Sequence, residues 1–291
     1  MGTMQERPRN ALILPTLAAA GLFTVVAVPS FAANSSQWDV DTRSAVRLVA
    51  ARSLVESGIN FLRAGVELRL QSGWKTYWRY PGDSGVPPVF DFGGSENVKT
   101  VTVLWPAPER FSDGGGYSIG YKDTVVLPLR VVPRDERKPV TLRLKLDYAV
   151  CETLCVPAKG NVELQLSSGD GVSNEILNSA EARVPKPTPI GAGQSLIIRS
   201  VQRMLGALRA RVVVDVATPS PGKVDLFAEG PSPKWALPLP EPIAGTGTPT
   251  GLRRFGFDLD GLPPGATPDG ATLKFTAVST GQAIEVEYRL E

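Results

Sequence analysis

Histidine is missing from all 291 residues. Its absence excludes the Ser-His-Asp triad, the Cys-His dyad, His-containing zinc sites and the side chain most often used as a general base near neutral pH. Cysteine occurs only at Cys151 and Cys155, and methionine only at Met1, Met4 and Met204, so no thioether cluster exists. A strong charge of either sign is lacking too: 31 basic and 29 acidic residues leave a formal net charge of +2. With no Lys/Arg run interleaved with aromatics, nucleic acid is not expected as a partner. After residue 28 no apolar run approaches spanning length. The 26 prolines and 29 glycines are spread along the chain, which favours short strands joined by turns over long helices.

The N-terminus has the pattern of an export signal. Arg7 and Arg9 form a positive n-region, Ala11 to Val28 are apolar and uncharged, and Ser30-Phe31-Ala32 place small residues at −3 and −1 of a cleavage site. The alternative is an uncleaved membrane anchor, which Pro15, Thr16, Thr24 and Pro29 disfavour. Either way the rest of the chain is expected outside the cytoplasm.

From Val46 to Leu166 short alternating runs are separated by turn signals. Leu142, Leu144, Leu146, Tyr148 and Val150 share one face while Thr141, Arg143, Lys145 and Asp147 share the other, the period of a half-buried strand. Val162, Leu164 and Leu166 repeat that pattern after the cysteines. Gly65–Gln71, Val98–Trp105 and Thr124–Val131 are further candidate strands, with turn clusters at Pro81–Gly85 and Asp113–Gly116. A helix is expected over Val172–Arg183, with Ile176, Leu177 and Ala180 on one side. Val184-Pro185-Lys186-Pro187-Thr188-Pro189 then reads as a stiff extended linker. Strands resume at Arg211–Val216, Arg253–Leu259 and Ala271–Val278, and the chain ends with Ile284, Val286, Tyr288 and Leu290 alternating against charged residues. The expectation is an all-β chain: an immunoglobulin-like antiparallel β-sandwich followed by a second, smaller β-sandwich. Its divisions are a signal over 1–32, a first domain over 33–168, a helix and linker over 169–192, and a second domain over 193–291.

Cys151 and Cys155 lie in Tyr148-Ala-Val-Cys-Glu-Thr-Leu-Cys-Val-Pro157, between two strong strand patterns. Four residues along a straight strand span about 13 Å, whereas a disulfide needs Cα atoms within about 7 Å. A bond therefore requires Glu152, Thr153 and Leu154 to bulge or turn. Pro157, without a ladder donor, suits an edge or irregularity. A stabilising bridge is the common fate of paired cysteines in an exported protein. Yet a five-residue loop removes only about 2 kcal/mol of chain entropy, and short constrained bridges are the more easily reduced ones. Against a redox role, neither a helix N-terminus nor a cation stands nearby in sequence to activate a thiol. Two thiolates also leave room for Cu(I), while zinc would need two further carboxylate ligands.

The cysteine segment resembles that of the N-terminal periplasmic domain of the DsbD and ScsB thiol:disulfide interchange proteins. Gly73-Trp-Lys-Thr-Tyr-Trp-Arg-Tyr-Pro-Gly-Asp-Ser-Gly85 is similar to a second hallmark of that family. Trp105-Pro-Ala-Pro-Glu-Arg110 and Tyr121-Lys-Asp-Thr-Val-Val-Leu-Pro128 follow in the family's order, so the likeness covers roughly Ser44 to Leu166. It implies an immunoglobulin-like periplasmic domain that needs no small-molecule cofactor. Its cysteines would take electrons from a thioredoxin-like or membrane thiol–disulfide donor and pass them to oxidised periplasmic proteins. The family's membrane and thioredoxin-like domains have no counterpart in these residues, so the donor is expected to be a separate protein.

By the same resemblance a cap loop covers the sulfurs, here Ser112 to Tyr117 with Asp113, Gly114, Gly115, Gly116 and Tyr117 at its centre. Glycines stand where an aromatic cap residue is expected, leaving Tyr117 or Phe111 to shield. Trp74 and Tyr77 are candidates to flank the sulfurs or to pack in the core, and Trp78 and Tyr80 are assigned to packing. Tyr148, Glu152 and Pro157 complete the expected surroundings, with Asp113 and Glu152 the acids near the thiols. Two other readings stay open: a non-catalytic envelope-binding sandwich with a structural disulfide, and a Cu(I)-handling protein.

Overall fold

The computed structural model describes residues 1–3, 34–56, 58–83, 85–113, 116–166, 174–205, 209–218, 222–243 and 251–291. Of the expected export signal over residues 1–32, residues 4–32 lie outside them. Ala32–Glu291 forms one compact unit.

Nineteen strands and one helix are present among the described residues. The first half holds β1 (Asp39–Val40), β2 (Ser44–Glu56), β3 (Ile59–Leu70), β4 (Lys75–Gly82), β5 (Val89–Asp91), β6 (Val98–Val103), β7 (Glu109–Asp113), β8 (Gly116–Lys122), β9 (Thr124–Pro133), β10 (Val140–Cys151) and β11 (Cys155–Leu166). After α1 (Asn174–Ala182) come β12 (Lys186–Pro187), β13 (Ile197–Met204), β14 (Arg211–Ala217), β15 (Val224–Glu229), β16 (Glu241–Pro242), β17 (Leu252–Asp258), β18 (Thr272–Ser279) and β19 (Gln282–Arg289). The chain is nearly all-β, as its alternation and turn residues imply.

A five-stranded sheet in the order β1-β2-β3-β9-β6 faces a six-stranded one in the order β11-β10-β4-β8-β7, with β5 on β10. Between them lies a core drawn from alternate positions: Val46 and Leu48 of β2, Val66 and Leu68 of β3, Leu127 and Leu129 of β9, and Leu142, Leu144 and Leu146 of β10. Burying such a row on one face is what period-two patterning does. Two four-stranded sheets, β12-β19-β18-β15 and β13-β14-β17-β16, enclose a second core around Val214, Leu226, Phe257 and Phe275.

The helix covers the outer face of the five-stranded sheet. Leu177 is fully buried against Val49, Ala51 and Val126. Gly65 makes this possible, because a Cβ there would lie 2.7 Å from Leu177 Cδ2. Arg63 pins the helix through Glu181 Oε1 and Oε2 at 3.0 and 2.7 Å. Ile176, expected on the packed side, is instead exposed: Leu177 and Ala180 are the positions that reach the sheet. The proline-rich stretch is likewise more than a linker. Lys186 and Pro187 form β12, pairing parallel with Ile284 and Glu285 of β19. A two-residue edge strand accommodates a proline because little of its ladder needs a donor.

The two sheet pairs share buried surface. Phe227 and Leu239 of the second half join the first core, and Phe227 packs 5.7 Å from the Trp78 ring. Arg110 of β7 donates to Leu226 O at 3.0 Å and Pro240 O at 2.9 Å.

Candidate functional site

β10 and β11 form a long hairpin whose register runs from Val140↔Leu166 to Cys151↔Cys155. The two cysteines are the last pair before the turn Glu152-Thr153-Leu154, and they are joined as a disulfide with Cα atoms 4.2 Å apart. The turn that bonding demands is thus the hairpin loop itself. Alternation sends Tyr148 and Val150 into the core and leaves Ala149 and Cys151 on the outer face of the six-stranded sheet. Cys151 is nonetheless 1% exposed, while Cys155, at the start of the edge strand β11, is exposed.

The neighbouring strand β4 covers Cys151. Its register places Lys75 opposite Cys151 and Thr76 opposite Val150, and Thr76 Oγ1 donates to Ala149 O at 2.9 Å. Tyr77, two residues beyond Lys75 and on the same face, puts its phenol oxygen 2.8 Å from Cys151 Sγ and 3.0 Å from Cys155 Sγ. A bridged sulfur carries no proton, so the phenol is the donor and its one hydrogen serves both sulfurs. Its ring, 2% exposed, clusters with Ala149 and Cys151. Two glycines fit around it. At Gly120, opposite Tyr77, a Cβ would overlap Thr76 O, and at Gly85 one would lie 2.7 Å from Tyr77 Cδ1.

Cations also reach this face, where the sequence shows none near the cysteines. Lys75 is buried, with Nζ 5.9 Å from the Phe111 ring centroid, and Lys122, opposite Lys75 on β8, lies 4.5 Å from the same ring. The signal was in the chain but not beside the cysteines; strand pairing creates the proximity.

Other expected site residues are placed elsewhere. Tyr148 is a core residue, its hydroxyl 2.6 Å from Ser44 Oγ on the side of the sheet away from the sulfurs. Burial holds its pKa above the ordinary phenol value. Trp74 packs at the margin of the first core, under the Arg43 guanidinium at 5.1 Å. Tyr117 pairs with Ser112, whereas Phe111 pairs with Ser118; alternation therefore turns Tyr117 away from the disulfide face, where its ring lies 5.3 Å from Arg110 Cζ. Of the two aromatics considered as shields, Phe111 is the one on the face of the sulfurs.

Gly114, Gly115 and the Asp113 side chain lie outside the described residues; the Asp113 backbone pairs with Gly116 at the tip of the β7–β8 hairpin. That tip is fastened to the end of β4 by Asp83, whose N–H donates to Tyr117 O and whose Oδ2 accepts from Tyr117 N–H, both at 3.1 Å. Asp83 was visible in the sequence only as a turn residue. Glu152 is exposed in the hairpin loop beside Gly73. Pro157 is exposed on β11, opposite Ala149 and on the face of Cys155.

Residues 48–167 match the family model described as thiol:disulfide interchange protein DsbD, N-terminal. The resemblance read from the cysteine and tryptophan-tyrosine motifs holds over that segment. The crystal structure of the N-terminal periplasmic domain of ScsB from Proteus mirabilis has a TM-score of 0.66 and 20% sequence identity, over 89% of this chain and 98% of that one. The likeness of fold thus extends well past residue 167 into the second sheet pair. No curated protein matches the chain.

Proposed function

We propose that this chain, with a DsbD N-terminal-type segment over residues 48–167, is a periplasmic thiol–disulfide exchange module. Cys151 and Cys155 relay electrons from a thioredoxin-like or membrane thiol–disulfide donor to oxidised envelope proteins. The observation that carries this reading is the asymmetry of the bridge: Cys155 exposed on an edge strand, Cys151 buried, and one phenol within 3.0 Å of both sulfurs.

Chemically, a donor thiolate attacks Cys155 Sγ in line with the bridge. A mixed disulfide forms, the Cys151–Cys155 bond breaks, and its electron pair stays on Cys151 Sγ. That sulfur already faces the Tyr77 hydroxyl, a hydrogen bond that strengthens when the acceptor becomes anionic. The donor's second thiol then resolves the mixed disulfide, leaving the pair reduced by two electrons and two protons. In the second half-cycle the Cys155 thiolate attacks a client disulfide, and Cys151 closes the bridge again, releasing the reduced client.

The test is to incubate the oxidised mature chain with reduced thioredoxin as a model donor and count free thiols. The reading predicts opening of the bridge and, on addition of a protein with an accessible disulfide, its closure. A bridge that stays shut against excess thioredoxin would mark it as a structural staple.

A further inference from the structure

After Tyr77, β4 turns from the sulfurs to the second sheet pair. Arg79 donates to Glu229 Oε1 and Oε2 at 2.8 and 2.7 Å and to Glu285 Oε2 at 2.6 Å. The Tyr80 hydroxyl lies 2.9 Å from Trp235 O and 3.0 Å from Leu237 O. All four partners belong to the second half of the chain. The ladder of β4 is thin at the same point. It meets β10 only at Lys75 and Thr76, and on the other side its register with β8 breaks between Tyr77 and Gly82. Trp78, next to Tyr77, is buried in the first core, whereas the side chains of Arg79 and Tyr80 are held by the second sheet pair.

We propose that the second sheet pair is a positioning element of the redox site. Through Arg79 and Tyr80 it fixes the bulged part of β4, and so holds the Tyr77 phenol between Cys151 and Cys155. The inference rests on the exchange function proposed above and gives the second half of the chain a part in it.

The physical case is one of leverage. A forked guanidinium on two carboxylates is rigid in a way a single lysine contact is not. Arg79 keeps its charge firmly: burial opposes it, but hydrogen bonds and attraction from Glu229 and Glu285 outweigh that cost and raise its pKa. Neutralising Arg79 removes the cation shared by Glu229 and Glu285, although Lys274 Nζ still lies 3.2 Å from Glu285 Oε1, and with it the fork that anchors this part of β4. The phenol's contribution to exchange is differential, because a thiolate accepts its hydrogen bond more strongly than a bridged sulfur. A displaced phenol loses that difference.

The test is a double-mutant cycle on the equilibrium of the pair with glutathione, read by free thiols, using Tyr77→Phe, Arg79→Gln and the double variant. Loss of one hydrogen bond predicts that Tyr77→Phe disfavours the reduced state by roughly threefold to tenfold, about 15 to 30 mV. Arg79→Gln is expected to shift the equilibrium in the same direction, and the double variant to add little to either. The inference is overturned if Arg79→Gln leaves the wild-type equilibrium while Tyr77→Phe moves it, if the two shifts add, or if Tyr77→Phe moves nothing. Should Arg79→Gln fail to fold, Tyr80→Phe replaces it in the cycle and is read the same way. A wild-type bridge that glutathione buffers cannot open overturns the exchange function instead, which keeps the two failures apart.

Discussion

Cys151 and Cys155 share one hairpin and one phenol, yet only Cys155 is exposed. Reaction with a thiol depends on access as much as on intrinsic nucleophilicity. Cys151→Ser, which keeps Cys155, should therefore react with a small aromatic disulfide at least about tenfold faster than Cys155→Ser. Equal rates would remove the preference for attack at Cys155 proposed above, and a faster Cys151 would reverse the order. Tyr77 was legible as a candidate only through the family resemblance of the Gly73–Gly85 stretch, with core packing as its alternative reading. Lys75 was not, because nothing in a linear sequence says that it pairs with Cys151. Tyr148 misled for a related reason. It is close to Cys151 in sequence, but an odd number of residues along a strand means the opposite face.

The elements divide in the same way. β10 and β11 could be read from alternation because each has one face in the core and one in water, the condition that gives a clean period of two. β4 carries no such pattern. Lys75, Thr76, Tyr77 and Trp78 are all buried, since the core lies under one face and the sulfur site and second sheet pair cover the other. Its motif was recognisable only through resemblance, and its pairing only from the structure. β12 was hidden in a proline-rich stretch for the complementary reason, an edge strand too short to show a period. The tightest constraint on β4 comes from Gly120. A side chain there meets Thr76 O, a backbone atom that cannot rotate away. Gly120→Ala should destabilise the chain by about 1–3 kcal/mol and displace Tyr77. Urea unfolding together with thiol reactivity checks both effects; unchanged stability would mean that β4 and β8 can separate freely.

Across the whole molecule the two sheet pairs act as one unit, joined at β4 and β7. Tyr80 offers a handle on that junction. Burial, reinforced by the Glu229 and Asp83 carboxylates, pushes its pKa up to about 12. The folded state thus favours the neutral phenol. Its stabilising contribution is complete below the ordinary phenol value near 10 and is lost as pH rises from about 10 to about 12. Tyr121 and Tyr148 shift upward as well, burial being the leading cause in each. Thermal melts of wild type should fall across that alkaline window more steeply than those of Tyr80→Phe, which has no phenol to ionise; parallel curves would remove Tyr80 from the junction.

The proposed exchange function gives a working role to a disulfide that would otherwise be a weak staple, since a five-residue loop contributes only about 2 kcal/mol. The reduction potential of the Cys151–Cys155 pair, measured by equilibrating the mature protein in glutathione buffers and counting thiols, bears on that most directly. A relay requires a midpoint among known exchange proteins, roughly −270 to −180 mV. A bridge still closed below about −300 mV would contradict the account and leave the disulfide a structural fastening.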